Sequence, residues 1–142
     1  MSATSVQFTV AAHLMTVLAF HQGKRIPSSL LAASVNTDPS FVRKSLSKLA
    51  KAGLVTTHRG KGGASLLARS PRQINLLDIY RASQAPAAFA IHSYPPDKAC
   101  VVSCSIKDGL SSVLRRAQGS FEKSLARISL ADMVAQIRRK SR

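Results

Sequence analysis

Two groups of side chains in this sequence could do chemistry. The first is a pair of thiols, Cys100 and Cys104, four residues apart. Neighbouring thiols can bind soft metals, or one can be oxidised and resolved by the other. The second combines cations, hydroxyls and glycines. Ser40, Arg43, Lys44, Ser47 and Lys48 share one segment, and Arg59, Lys61, Gly62 and Gly63 follow in a glycine-rich stretch. Arg and Lys suit phosphates and guanine edges, Ser bonds to either, and glycine lets a backbone come close to its ligand. No Ser–His–Asp grouping or paired-carboxylate motif accompanies them, so an enzyme is not expected. The glycine stretch is no nucleotide-binding loop either. The Walker pattern needs a Lys followed by Ser or Thr and then a helix.

The charge balance favours the second group. Lys and Arg number 21 against 6 Asp and Glu, a formal net charge of +15 over 142 residues. Such a balance attracts polyanions, nucleic acid first and an anionic membrane surface second. No stretch approaches the ~20 apolar residues of a membrane span. The apolar run from Val6 to Phe20 is broken by Gln7, Thr9, His13 and Thr16 and lacks a basic leader, which argues against a signal peptide. The expected location is cytoplasmic, where thiols are reduced by default.

The elements that must position these residues can be read from punctuation and period. Thr4 and Gln7 have capping-box spacing, so a first helix should start near Ser5 and run to about His21. Its narrow polar stripe of Thr9, His13 and Thr16 marks it as mostly buried. Pro27 suits the first turn of a second helix, ending at Asn36-Thr37. The third helix is the best punctuated. Thr37 or Asp38 can cap it, Pro39 fits its first position, and Gly53 fits the left-handed residue after it. Val42, Leu46 and Leu49 would face the core and leave the cations outside. Leu54–Thr57 and Ser65–Ala68 read as a hairpin with Arg59 to Gly63 at its tip. The sum is a helix-turn-helix followed by a basic wing.

Further on, Asn75 can cap a fourth helix. Gln84 to Ala99, with Pro86, Pro95 and Pro96, reads as an extended loop. A long helix is expected from about Ser105 to Arg127, and a last one near Leu130, capped by Ser129 with Asp132. The run Arg138-Arg139-Lys140-Ser141-Arg142 reads as a basic tail. The fold class is mainly α with a small β-hairpin. The expected domains are residues 1–83, a winged helix-turn-helix, and 84–142, a cysteine-bearing loop with dimerisation helices.

Several stretches together resemble one family. They are Val42-Arg43-Lys44-Ser45-Leu46, Ala52-Gly53-Leu54-Val55, Arg59-Gly60-Lys61-Gly62-Gly63, Ile74-Asn75-Leu76-Leu77-Asp78-Ile79-Tyr80-Arg81-Ala82 and Ile128-Ser129-Leu130-Ala131-Asp132. They look like the IscR/NsrR/CymR (Rrf-type) family of bacterial winged-helix repressors. The resemblance runs from about Gln7 to Val134. It implies a homodimer, held by the long helix, that binds a pseudo-palindromic operator in double-stranded DNA through the third helix and the wing. It maps Ser40, Arg43, Arg59 and the wing glycines onto DNA-contacting segments.

The thiols depart from the resemblance. Iron–sulfur members of the family carry three cysteines in the loop before the dimer helix, whereas this chain has Cys100 and Cys104 alone. A cluster normally takes four protein ligands, so none is expected. A zinc site also needs more ligands than are evident. A thiol switch fits better, with Cys104 near the start of the long helix, where the helix dipole attracts negative charge. The bland alternative is that the cysteines are inert apolar residues. The leading expectation is a dimeric repressor switched at Cys100 and Cys104 by oxidants or electrophiles. The alternative is a constitutive, non-sequence-specific nucleic-acid-binding or architectural protein.

Overall fold

The computed structural model describes residues 5–58, 60 and 63–141. Two compact units emerge. One comprises residues 1–85 with 125–142, and the other residues 86–124.

The first unit is built around α1 (Gln7–Phe20), whose Ala11, Leu14, Met15, Leu18 and Ala19 are buried. A buried helix must satisfy its polar groups internally. Half-buried Thr16 Oγ1 donates to Ala12 O at 2.7 Å, and on the exposed side of α1 His13 Nε2 meets Ser34 Oγ of the next helix at 3.0 Å. His13 therefore ties two helices together. Helix α1 starts two residues after the expected Ser5. The helix starts at Gln7 with no side-chain cap, Ser5 Oγ donates to Gln7 Oε1, and Thr4 lies outside the described residues.

A two-residue strand, β1 (Ile26–Pro27), follows α1. The sequence did not announce it. It exists because a later strand pairs with it, Ile26 opposite Ser65 and Pro27 opposite Ala64. Helix α2 (Ser28–Val35) ends on Asn36 in the left-handed conformation, φ 64°. Helix α3 (Pro39–Lys51) has the expected punctuation. Asp38 caps it, Pro39 occupies the first position, and Gly53 sits at φ 79°. Val42, Leu46 and Leu49 are buried against α1 and α2. Strands β2 (Val55–His58) and β3 (Ala64–Leu67) pair antiparallel, giving the sheet order β1-β3-β2.

A 3-10 turn at Pro71–Gln73 leads to α4 (Leu76–Ala82), capped by a reciprocal Asn75–Asp78 box. Tyr80 is buried and meets Phe8 edge-on, ring centroids 5.4 Å apart. Helix α6 (Leu130–Lys140) repeats the device with Ser129 and Asp132, and it packs on α1. A bridge between Asn75 and Ser129 joins the two caps. The expected basic tail is largely helical, because α6 continues through Lys140 and Arg138 stacks on Phe20 of α1.

The second unit consists of an extended segment, residues 86–100, and most of α5 (Val101–Ala126). The segment carries no helix or strand, as its prolines require. Helix α5 begins four residues before the expected Ser105. Ala88 N–H donates to Gln118 Oε1 at 3.0 Å, which holds the segment along one face of α5. There Ala87, Phe89, Ile91, Leu114 and Phe121 line an open, mainly apolar trough of about 440 Å³.

Candidate nucleic-acid interface

Helix α3 has two faces. Its buried residues leave Ser40, Arg43, Lys44 and Ser47 exposed, and the i, i+3, i+4, i+7 spacing puts all four on one side. Lys48 is half-buried and Lys51 exposed in the last turn. Both cations at that end complement the helix dipole.

The entry to this face is fixed by Asp38. Its Oδ1 accepts the Ser40 N–H at 3.0 Å, and its backbone carbonyl accepts the N–H groups of Phe41 and Val42. The hydrogen bonds from Ser40 hold the Asp38 carboxyl below its ordinary pKa, and the charges of Arg43 and Lys44 act in the same direction. The Ser40 amide is thus committed to the cap, while the Arg43 and Lys44 side chains extend from an anchored first turn.

Between β2 and β3 two glycines, Gly60 and Gly63, are described. Gly63 N–H donates to Gly60 O at 3.1 Å, and Gly63 adopts φ 56°, a left-handed value that a side chain would strain. Gly63 O accepts the Ser28 N–H at 3.1 Å, so the start of α2 is tied to the hairpin. This link went unseen in the sequence, since nothing local marks β1. Arg59, Lys61 and Gly62, the other expected wing residues, lie outside the described residues. His58 is half-buried at the end of β2.

Both thiols are free and exposed in the second unit. The sequence placed them at the end of a loop, but they bracket the first turn of α5. Cys100 immediately precedes the helix and Cys104 lies within it, its N–H donating to Cys100 O at 3.1 Å. Their surroundings differ. Cys100 Sγ accepts the Ser103 N–H at 3.4 Å, replacing the usual oxygen of a helix cap. Cys104 Sγ instead donates toward the carbonyl oxygens of Asp97 at 3.6 Å and Lys98 at 3.8 Å. Asp97 N–H donates to Ser103 Oγ at 2.8 Å and closes the turn. Cations are close by in sequence, and the Lys107 ammonium donates to Tyr94 O.

Comparison with known proteins places this geometry. The model of the Rrf2 family, described as an iron-dependent transcriptional regulator, matches residues 4–136. The chain is similar to YwnA of Bacillus subtilis, named as an HTH-type transcriptional regulator. The two are 36% identical over 129 residues, covering 90% of this chain and 94% of YwnA. Among solved structures it is similar to T. potens IscR, with 26% identity, a TM-score of 0.71 and coverage of 96% of this chain and 88% of that one. The fold is shared with CymR, the global cysteine regulator of B. subtilis, at 21% identity and a TM-score of 0.69, covering 96% and 98%.

The iron in the family description can be tested on the residues. An iron–sulfur cluster takes four protein ligands, usually thiolates. This chain has two cysteines, and among the described residues no three of His, Cys, Asp and Glu come together to hold a metal. His92, the histidine nearest in sequence to the thiols, lies beside Tyr94, ring centroids 6.2 Å apart. The ligand set of one chain does not fit such a cluster. No described helix is long and apolar enough to cross a membrane.

Proposed function

We propose a specific reading for this chain, which belongs to the Rrf2 family of transcriptional regulators and is a DNA-binding protein: it is a homodimeric repressor of a pseudo-palindromic operator. The observation that carries it is the one-sided α3. Ser40, Arg43, Lys44 and Ser47 stand exposed on one face of a helix whose opposite face is locked into the core. A helix so mounted fits the major groove, and the glycine hairpin beside it fits the neighbouring minor groove or backbone. Arg59 and Lys61 would act from that hairpin, with Gly62 and Gly63 allowing close approach.

Dimerisation rests on α5. Val102, Ile106, Gly109 and Val113 follow a 4-3-4 spacing, the seam of two packed helices. Val102 is 67% exposed, Ile106 37% and Val113 54%. Nothing lies within 4 Å of where a Gly109 side chain would begin. A partner helix on this seam would bury apolar residues that the single chain leaves in water. It would also set the distance between two reading heads.

Control is assigned to Cys100 and Cys104. Oxidation by a peroxide would give a sulfenic acid at one sulfur and release water or hydroxide. Attack by the other thiol would then form the disulfide and release water.

The test is selection of duplexes from a random-sequence library, followed by titration against competitor DNA. An operator should emerge, bound at least ~10³-fold more tightly than competitor, with affinity falling steeply with salt. Equal binding to every sequence would replace this reading with a non-specific architectural role.

A further inference from the structure

A second cationic surface lies at the corner where α1 hands over to β1. Arg138, in the last turn of α6, stands 4.6 Å from the ring centroid of Phe20, the last residue of α1. Its Nη2 donates to Phe20 O at 3.4 Å, across a sequence separation of 118. This contact pins the end of α6 to the end of α1. It brings Arg139 and Lys140 to the corner from which Lys24 and Arg25 lead into β1, and all four are exposed.

Charge in this corner is uncompensated along the chain. No acidic residue precedes Asp38, and none follows Asp132. The Asp132 carboxylate is occupied at the other end of α6, where it accepts the Ser129 N–H at 2.9 Å. A cluster of one sign on a single corner raises the local potential for a polyanion.

The sheet gives the corner its direction. β2 follows α3, β3 is central, and β1 is the edge strand on the far side. Ile26 is buried, so strand alternation puts Arg25 on the outer face. The same edge reaches the hairpin turn through Ser28 N–H and Gly63 O. With α3 in a major groove and the hairpin beside it, this edge, opposite β2 in the sheet, would face the flanking duplex.

We propose that Lys24, Arg25, Arg139 and Lys140 form a second DNA-contacting surface that holds the sugar–phosphate backbone flanking the operator. The proposal rests on the reading that α3 and the hairpin engage an operator. Arg138 serves as the pin that sets the surface, since its guanidinium already covers Phe20. Duplex DNA is favoured over an anionic membrane because the corner is continuous with the hairpin through Ser28 N–H and Gly63 O.

The experiment compares wild type with the variant K24Q/R25Q/R139Q/K140Q. The probes are a duplex recovered by random-library selection, trimmed to its protected core, and the same duplex extended by about ten base pairs, one helical turn, on each side. Wild type should gain roughly tenfold in affinity on extension, while the variant should bind the core equally well and gain nothing. The slope of log affinity against log salt on the long duplex should fall by about 3.6 per protomer in the variant, given ~0.9 counterion for each of the four phosphate contacts. Equal gains in both proteins would overturn the proposal and leave the operator reading intact. Failure to select any core would overturn the operator reading, and the flank surface would still be read from the salt slope on random duplex. Retention of wild type, but not the variant, on phosphatidylserine vesicles, without any gain from duplex length, would assign the corner to a membrane and overturn the proposal.

Discussion

The Cys104 N–H donates to the Cys100 carbonyl at 3.1 Å, so the two thiols stand one helical turn apart at the start of α5. Residues so placed have Cβ atoms about 5–6 Å apart, whereas a disulfide needs about 3.5–4.5 Å. An intrachain disulfide therefore requires the first turn of α5 to open. Peroxide or diamide should release the operator and reduce helical circular dichroism by about one turn, ~4 residues. Cys104→Ser should abolish both responses. If Cys104→Ser releases DNA like wild type, the thiol switch is wrong. If the only oxidised product is a dimer on a non-reducing gel, the bond forms between subunits and α5 stays closed.

On α3, Arg43 and Lys51 should behave differently. Arg43 belongs to the exposed face beside the capped first turn, and Lys51 lies at the last residue of the helix. Base contacts come mainly from the first turns of a recognition helix, while contacts elsewhere hold phosphate. Arg43→Ala should cost about 1–3 kcal/mol on the operator and relax its sequence preference. Lys51→Ala should weaken operator and competitor alike. Competition titrations with single-base operator variants would read the difference, and the reverse pattern would refute the assignment.

How far the sequence disclosed this arrangement depends on where each stop and start is encoded. The limits of α3 were legible because Asp38, Pro39 and Gly53 act on neighbouring backbone groups. The Asn75–Asp78 and Ser129–Asp132 caps are equally local. Strand β1 was not legible, because two residues become a strand only when β3 pairs with them. The expected start of α5 lies late because the helix is capped by the Cys100 sulfur accepting from Ser103 N–H, an acceptor outside the usual Ser, Thr, Asp and Asn caps. The packing of Arg138 on Phe20 joins the two ends of the chain and leaves no periodic trace. The exposed cationic side of α3 was therefore legible in the sequence, while the contact of Arg138 with Phe20 was not.

Asp38 gives a prediction in pH. Its folded-state pKa lies below the ordinary value, owing first to the Ser40 hydrogen bonds. Its contribution to stability is therefore full above the ordinary aspartate range, near pH 4, and is lost as pH falls through the lower folded value. Asp132, held by Ser129, behaves alike. Asp38→Asn keeps a good cap and should match wild-type melting at neutral pH but lose less on acidification. Asp38→Ala should melt lower at neutral pH. Thermal melts at stepped pH check both, and parallel acid curves for wild type and Asp38→Asn would remove Asp38 from the account.

The seam on α5 can be tested at Gly109 and Val113. In an isolated helix Gly109→Ala should help, by about 1 kcal/mol, because glycine is a poor helix former. If a second copy packs on Val102, Ile106 and Val113, that gain competes with lost close approach, and a larger side chain should lose outright. Gly109→Leu and Val113→Glu should both shift the protein from dimer to monomer in light scattering, with α5 helicity retained. Operator affinity should then fall steeply, because each reading head covers half a site and the second head no longer binds at high effective concentration. A dimer that survives both substitutions would place the interface on another face of α5.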